Sequence, residues 1–259
     1  MNGTLTVNQL RHNIWNFNEA AMDQGIPRPQ MDAYLVTGTE RALVIDALLE
    51  ERSVYKTARA LTPLPLDLAL SHGHRDHAGK GTLDFFDAGC GVYLNGADLP
   101  LVEEMGFDGS RFTALEEGAV FDLGAYRLEA IPLAGHTPGS TVFLEREQRH
   151  LYTGDAIGAG VFWMWLPHCL PLRQFRENLR RLWEEVKSMD DLQIFTGHRH
   201  QAPKHDLEFL ADVLHATDGI ISGAISGRET AMQFMNTTRI SRVAHYKNIR
   251  AYCYDPQNI

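Results

Sequence analysis

The nine residues from Ser71 to Gly79 read S-H-G-H-R-D-H-A-G and constrain this chain more than any other stretch. Within them His72, His74, Asp76 and His77 form an H-x-H-x-D-H array. The array follows directly on Asp67 to Ser71, a short apolar run that reads as a buried strand. At the chain's own histidine and aspartate content, such an array arises by chance roughly two times in a thousand. That frequency weighs against a solvated loop carrying unrelated histidines. On a tight loop, residues at these spacings split between two nearby points in space, so one loop can serve two metal ions. Neutral imidazole suits zinc, manganese or iron, and a carboxylate adds hard-oxygen character.

Three further loops share the context of an acid or imidazole just after a strand. His136 lies in Ala134-Gly135-His136-Thr137-Pro138-Gly139-Ser140, after a strand that ends at Pro132. Asp155 closes Thr153-Gly154-Asp155 after the strand His150 to Thr153, and His198 closes Thr196-Gly197-His198 after Leu192 to Thr196. A lone His or Asp in a glycine-rich loop is more often a capped turn than a ligand. Four such strand ends in one chain instead describe one face of a sandwich delivering ligands to one cleft.

Periodicity supplies the remaining organisation. Asp32 to Val36 and Arg41 to Asp46 flank Thr37-Gly38-Thr39-Glu40 as a hairpin. Glu50 to Leu61 reads as a helix stopped at Thr62-Pro63, and Gly91 to Leu94 and Tyr126 to Pro132 as strands. Thr141 to Leu144 and His150 to Thr153 form a second hairpin. Leu172, Phe175, Leu179, Leu182 and Val186 make one stripe of a 3.6-residue period, behind Pro171 in the first turn. Leu207, Leu210, Val213 and Leu214 stripe another helix. The C-terminal third is small and polar, with a final strand at Ile249 to Tyr254. Hairpins in both halves exclude a purely doubly wound pattern. No repeat and no Pro/Gly/Ser linker divides the chain, so residues 1–259 read as a single domain.

Charge and cysteine usage narrow the partners. Lys plus Arg (24) against Asp plus Glu (33) leave −9, which repels phosphate backbones and argues against nucleic acid. The apolar runs fall far short of the ~20 residues of a membrane span. Met1 to Leu10 has neither the basic nor the apolar region of a secretory signal. Cys90, Cys169 and Cys253 show no CxxC pairing, so a reducing, cytoplasmic setting is expected.

These motifs resemble the metallo-β-lactamase-fold hydrolase superfamily, in its glyoxalase II and lactonase-like branch, from the hairpin at Asp32 to Asp46 through His198. The resemblance implies an α/β fold, an αβ/βα four-layer sandwich of two mixed β-sheets flanked by helices, with metals at one edge. It implies that His72, His74 and His136 hold one divalent ion, that Asp76, His77 and His198 hold the other, and that Asp155 bridges them. Asp46 corresponds to a strand-end acid that supports the histidine loop from behind; a turn-initiating aspartate is the competing reading. The two ions are expected to be zinc, with iron or manganese as alternatives.

The chemistry follows from the parts. A water held between two dications loses proton affinity until its pKa is around 7, and the resulting hydroxide attacks a carbonyl or phosphorus. Asp76 orients the nucleophile and relays a proton to the leaving group. The expected activity is hydrolysis of a small-molecule ester, thioester or lactone. Phosphoester or phosphodiester hydrolysis is the runner-up. A mononuclear iron oxidoreductase of the persulfide dioxygenase type and a non-catalytic scaffold stand behind it; the complete ligand set speaks against the scaffold. Flavodiiron oxidoreductases carry an acid where His74 stands, and the basic cluster expected to hold glutathione is missing: Arg242, Lys247 and Arg250 are too scattered. Export-dependent β-lactam cleavage does not suit a chain without a signal.

The substrate side is read from one aromatic segment, Val161 to His168. Phe162, Trp163 and Trp165 could line the entrance and grip an acyl or aromatic group, with core packing or a homodimer contact an equal reading; His168 could add a substrate contact, against the better-supported reading of a surface or core histidine. Arg75, inside the histidine loop, could meet an anionic substrate group, against the alternatives of solvent or a structural ion pair.

Overall fold

The strand Ala42–Ile45 is buried at all four positions, as a strand covered on both faces has to be. In the computed structural model it lies at the middle of a seven-stranded sheet, and the alternation of its side chains divides two cores. Ala42 and Val44 face one buried cluster, Leu43 and Ile45 another. The first cluster is closed by the helices Val54–Leu61, Gly81–Asp87 and Leu99–Glu104, through Val54, Ala58, Phe85 and Val102. A five-stranded sheet closes the second through Leu128, Ala130, Phe143, Tyr152 and Phe195. The far face of that sheet meets the helices Leu172–Val186 and Leu207–Ser222. The layers run helix, sheet, sheet, helix, the sandwich expected from the sequence. The structure describes residues 4–20, 22–23, 26–27, 30–49, 54–201, 205–234 and 237–259.

The seven-stranded sheet runs in the order Thr4–Arg11, Ile14–Ala20, Met31–Thr37, Ala42–Ile45, Leu66–Ala69, Val92–Leu94, Thr113–Ala114. Pairing is antiparallel as far as Ala42–Ile45 and parallel beyond it. The five-stranded sheet runs Val120–Asp122, Arg127–Pro132, Thr141–Glu145, His150–Gly154, Gln193–Thr196, with only the last pair parallel. Directions follow from these pairings. Ala42–Ile45, Leu66–Ala69 and Val92–Leu94 all end on one edge of their sheet, and so do Arg127–Pro132, His150–Gly154 and Gln193–Thr196 in theirs. The residues just past those six ends include Asp46, the His72–His77 array, Asp98, His136, Asp155 and His198.

The helix Leu172–Val186 buries Leu172, Phe175, Leu179, Leu182 and Val186, the stripe read from the sequence, with Pro171 one place earlier than expected, at the N-cap. Of the helix expected over Glu50 to Leu61, Val54–Leu61 is helical and 50–53 lie outside the described residues. Among the described residues no helix is long and apolar enough to cross a membrane.

The sequence pattern did not disclose the short helices Gly81–Asp87 and Leu99–Glu104, the short strands Thr113–Ala114 and Val120–Asp122, or two larger regions. The N-terminal hairpin of Thr4–Arg11 and Ile14–Ala20 carries asparagines that break the apolar alternation. A four-stranded sheet joins Val161–Met164, Ile249–Tyr254, Thr237–Tyr246 and Arg228–Phe234, and Met22–Asp23 pairs with Ile26–Pro27, so among the described residues there are two sheets more than expected. Only Ile249–Tyr254 was expected among the strands of the four-stranded sheet. Arg228, Glu229, Ala231, Arg239 and Ile240 are exposed, so much of their hairpin shows no apolar alternation to read.

Candidate metal centre

Asp46 follows the strand Ala42–Ile45 in a left-handed conformation, with φ of 67°. Its buried carboxylate accepts from the Ser71 N–H at 2.7 Å, the Ser71 hydroxyl at 2.8 Å and Nδ1 of His77 at 2.8 Å. The Ser71 hydroxyl gives its only proton to Asp46, so at 3.0 Å from His72 Nδ1 it accepts. Both imidazoles therefore have Nδ1 committed to a donated bond and turn Nε2 inward. His136 and His198 follow the same rule: their Nδ1 groups donate to the carbonyls of Trp163 at 3.0 Å and Gln30 at 2.6 Å. His74 differs, presenting Nδ1 inward at 2.9 Å from His136 Nε2.

Two groups result. Ligand atoms of His72, His74 and His136 lie within 4.8 Å of one another, and so do those of Asp76, His77, Asp155 and His198. The groups adjoin, with the His72 and His77 ring centroids 4.2 Å apart. Asp155 reaches into both. Its Oδ1 is 3.4 Å from His77 Nε2, and its Oδ2 is 3.3 Å from His198 Nε2 and 3.8 Å from His136 Nε2. The seven side chains expected from the sequence to be ligands are thus brought together.

Whether they fit a cation can be judged from what they leave open. His72 Nε2, His77 Nε2 and Asp155 Oδ1 are buried without a hydrogen-bond partner among the described residues. Orphaned buried polar atoms converging on one point are costly unless a ligand binds there. The packing is equally specific. A Cβ on Gly154, whose φ is +48°, would collide with Ser71 Oγ, and one on Gly197 would collide with the His77 ring. Five imidazoles and two carboxylates suit zinc, iron or manganese.

The electrostatics divide along the same line. Burial, then the neighbouring rings, push His72 well below the ordinary histidine value and His74 down to about 3; burial likewise lowers His136. These three are neutral donors. Burial also acts to lower His77 and His198, but the carboxylates facing them outweigh it, raising His77 strongly and His198 to about 10. Burial opposes ionisation of Asp155 and Asp76 too, and His77 and His198 overcome it, holding both acids low. Two ring protons stand where the charge of a cation would otherwise balance the acids.

Two residues that sequence reading missed brace this arrangement. Asp32 accepts from the Arg199 N–H at 2.8 Å and, through its other oxygen, from Asn16 and Asn18 at 2.8 and 2.9 Å. Its N–H donates to the Gly197 carbonyl at 2.8 Å, and the Tyr34 hydroxyl to the Thr196 carbonyl at 2.7 Å, so the first sheet holds the His198 turn. Asp98, just past Val92–Leu94, bonds the two loops that carry the three neutral imidazoles. Neither had a local motif. Asp98 did share the one available signal, an acid after a strand end.

The first half of the aromatic segment, Val161–Met164, is a strand whose alternate side chains part company. Phe162 is 1% exposed, stacked on Tyr252 at 5.1 Å and set against Phe209 of the helix Leu207–Ser222. It belongs to the core, which corrects the expectation that it lines an entrance. Trp165 is buried as well, beside Trp163. Trp163 is half-buried, and its carbonyl orients His136. Arg75 and His168 are exposed.

Comparison with known proteins agrees with this geometry. Residues 27–198 match the model of the family described as the metallo-beta-lactamase superfamily. An acyl-coenzyme A thioesterase of Gallus gallus is 30% identical over 199 residues, 64% of this chain and 71% of that protein. A hydroxyacylglutathione hydrolase of Haemophilus influenzae is 30% identical over 106 residues, 36% of this chain and 50% of that one. A mitochondrial persulfide dioxygenase of Mus musculus is 30% identical over 140 residues, 51% of this chain and 50% of that one. The matches thus span half the length of the latter two. Among solved structures, a metallo-beta-lactamase from Pontibacter korlensis superposes with a TM-score of 0.66 at 17% identity, covering 83% of this chain and 99% of the other. One from Erythrobacter litoralis gives 0.65 at 15%, covering 83% and 96%. At these identities the structures speak for the fold.

Proposed function

The chain belongs to the metallo-beta-lactamase superfamily, and from that premise we propose that it is a hydrolase using two divalent cations to cleave a small-molecule thioester, ester or lactone. The observation that carries the reading is Asp155, a single carboxylate whose two oxygens face histidines of both groups. In this reading His72, His74 and His136 hold one cation, Asp76, His77 and His198 the other, and Asp155 lies between them.

Cations bound there supply Lewis acidity, polarising a carbonyl oxygen and bringing the pKa of water to about 7. The chain's own residues do the rest. Asp46 fixes the directions of His77 and, through Ser71, of His72. Asp76 is the more open of the two acids, with 35% of its side chain exposed against 8% for Asp155. It is suited to take a proton from an attacking water and hand it to the departing thiolate or alkoxide. The acyl substrates named for two of the curated relatives support a carbonyl centre as the target. None of Cys90, Cys169 and Cys253 is in a disulfide, which supports a reducing, cytoplasmic setting.

The test is a substrate panel on purified protein of known metal content: an acyl-coenzyme A, an S-acylglutathione, an aryl ester, a lactone and an aryl phosphodiester. Carbonyl hydrolysis that disappears on chelation and returns with zinc is expected. Turnover confined to the phosphodiester would overturn the substrate class, and turnover untouched by removal of both metals would overturn the mechanism. The persulfide dioxygenase relative favours one second reading. One iron per chain, with oxygen consumed and no hydrolysis, would establish it instead.

A further inference from the structure

Asp98 stands outside both candidate metal groups, yet its exposure is 0%. A carboxylate so buried has to have its oxygens satisfied. Oδ2 accepts from the Gly73 N–H at 2.8 Å and from the Thr137 hydroxyl at 2.6 Å, and Oδ1 accepts from the Gly139 N–H at 2.6 Å. Gly73 lies between His72 and His74, and Thr137 and Gly139 follow His136. One carboxylate thereby ties together the two loops that carry the three neutral imidazoles.

The tie is made at the expense of an ordinary role. Asp98 occupies the N-cap of the helix Leu99–Glu104, where an aspartate usually accepts from its own helix, and its side chain makes no such bond. The loops are shaped around it instead. A Cβ on Gly139 would come within 2.6 Å of the Asp98 carboxyl carbon, and one on Gly73 within 3.0 Å of the Asp98 carbonyl oxygen. The acidic group is held from other places: Asp46 bonds His77, and Asp32 and the Gln30 carbonyl hold the turn of His198.

We propose that Asp98 is the positioning residue of the group formed by His72, His74 and His136, setting the distance between its two loops and so the affinity of that group alone for a cation. The proposal rests on the reading of these histidines as a metal site. Ligands have to be held to about half an ångström for full affinity, and loss of an outer partner typically costs about 10–100-fold.

Asp98→Asn keeps the volume but turns an acceptor into a donor, so one of the three N–H or O–H groups loses its partner. Zinc is titrated against a competing chelator in the wild type, D98N, H136A, H198A and the two double variants containing D98N. Zinc per chain is measured by elemental analysis, and the melting temperature of each metal-free protein is recorded. The wild type is expected to hold two zinc ions, and D98N to weaken one of them about 10–100-fold. In the H198A background D98N should weaken the remaining ion by the same factor, and in the H136A background it should change nothing. Equal loss at both sites, unchanged affinities, or a further loss on top of H136A would overturn the proposal. Should D98N fail to fold, Thr137→Val removes one of the three bonds and is expected to give the same pattern at smaller size, with the same contrary outcomes. A wild type that binds no zinc would overturn the metal reading itself, whereas two ions with an unselective D98N would overturn the role of Asp98 alone.

Discussion

His72, His74 and His136 meet as three neutral imidazoles, whereas Asp76, His77, Asp155 and His198 meet as two carboxylates and two rings that hold their protons. The first group is ready for a cation and needs only its geometry kept. The second has its charge balanced internally, and a cation has to displace those protons. The fold serves each accordingly. A single buried aspartate staples the two loops of the first, while the second is anchored to the strands and turns of the first sheet. Two ions bound as proposed would therefore differ in how tightly, and at what pH, they are held.

The comparison breaks most severely at the residue the groups share. Asp155→Ala is expected to lower kcat/KM on the order of a thousandfold and to cost metal at both groups, measured by steady-state kinetics with elemental analysis. Loss confined to one group would deny Asp155 its place between them.

Proton displacement sharpens the contrast. His198, at about 10, and the raised His77 stay protonated through neutrality, so zinc affinity at the acidic group should climb with pH, up to about tenfold per unit for each proton released. His74, at about 3, and the lowered His72 and His136 favour the neutral form, so the other group should depend less steeply on pH from about pH 6 to 8. Competition titrations across that range, in H136A and H198A separately, measure the two slopes. Equal slopes would contradict the division.

Asp46 tests the opposite of selectivity, because it orients His77 directly and His72 through Ser71. Asp46→Asn is expected to weaken both ions, by about 10–100-fold, in the same chelator titration. The smallest effect on the centre is expected from the core. Phe162→Ala should destabilise the fold by about 3–5 kcal/mol in urea denaturation and leave KM within about twofold. A large rise in KM at unchanged stability would return Phe162 to the substrate wall.

What could be read from the sequence was whatever the chain writes locally. The H-x-H-x-D-H array packs four candidate ligands into six residues, and the stripe from Leu172 to Val186 repeats at the pitch of its own helix. His136, Asp155 and His198 were legible because each sits just past a strand on the same kind of small-residue loop. Asp98 and Asp32 were not, since their partners lie 25 to 41 and up to 167 residues away and leave no spacing to recognise. The aromatic segment was ambiguous for a related reason. Its strand partner, Ile249–Tyr254, comes some ninety residues later, and only that pairing sends Phe162 into the core and leaves the Trp163 carbonyl to His136. The hairpin Arg228–Phe234 and Thr237–Tyr246 lacked the alternation of a half-buried strand because much of it faces solvent.

The account stands on two cations sharing Asp155, and anomalous diffraction from zinc-loaded crystals tests that directly. Two peaks are predicted, one among His72, His74 and His136 and one among Asp76, His77 and His198, with an Asp155 oxygen bonded to each. A single peak, or peaks that leave Asp155 outside the coordination shell, would contradict it.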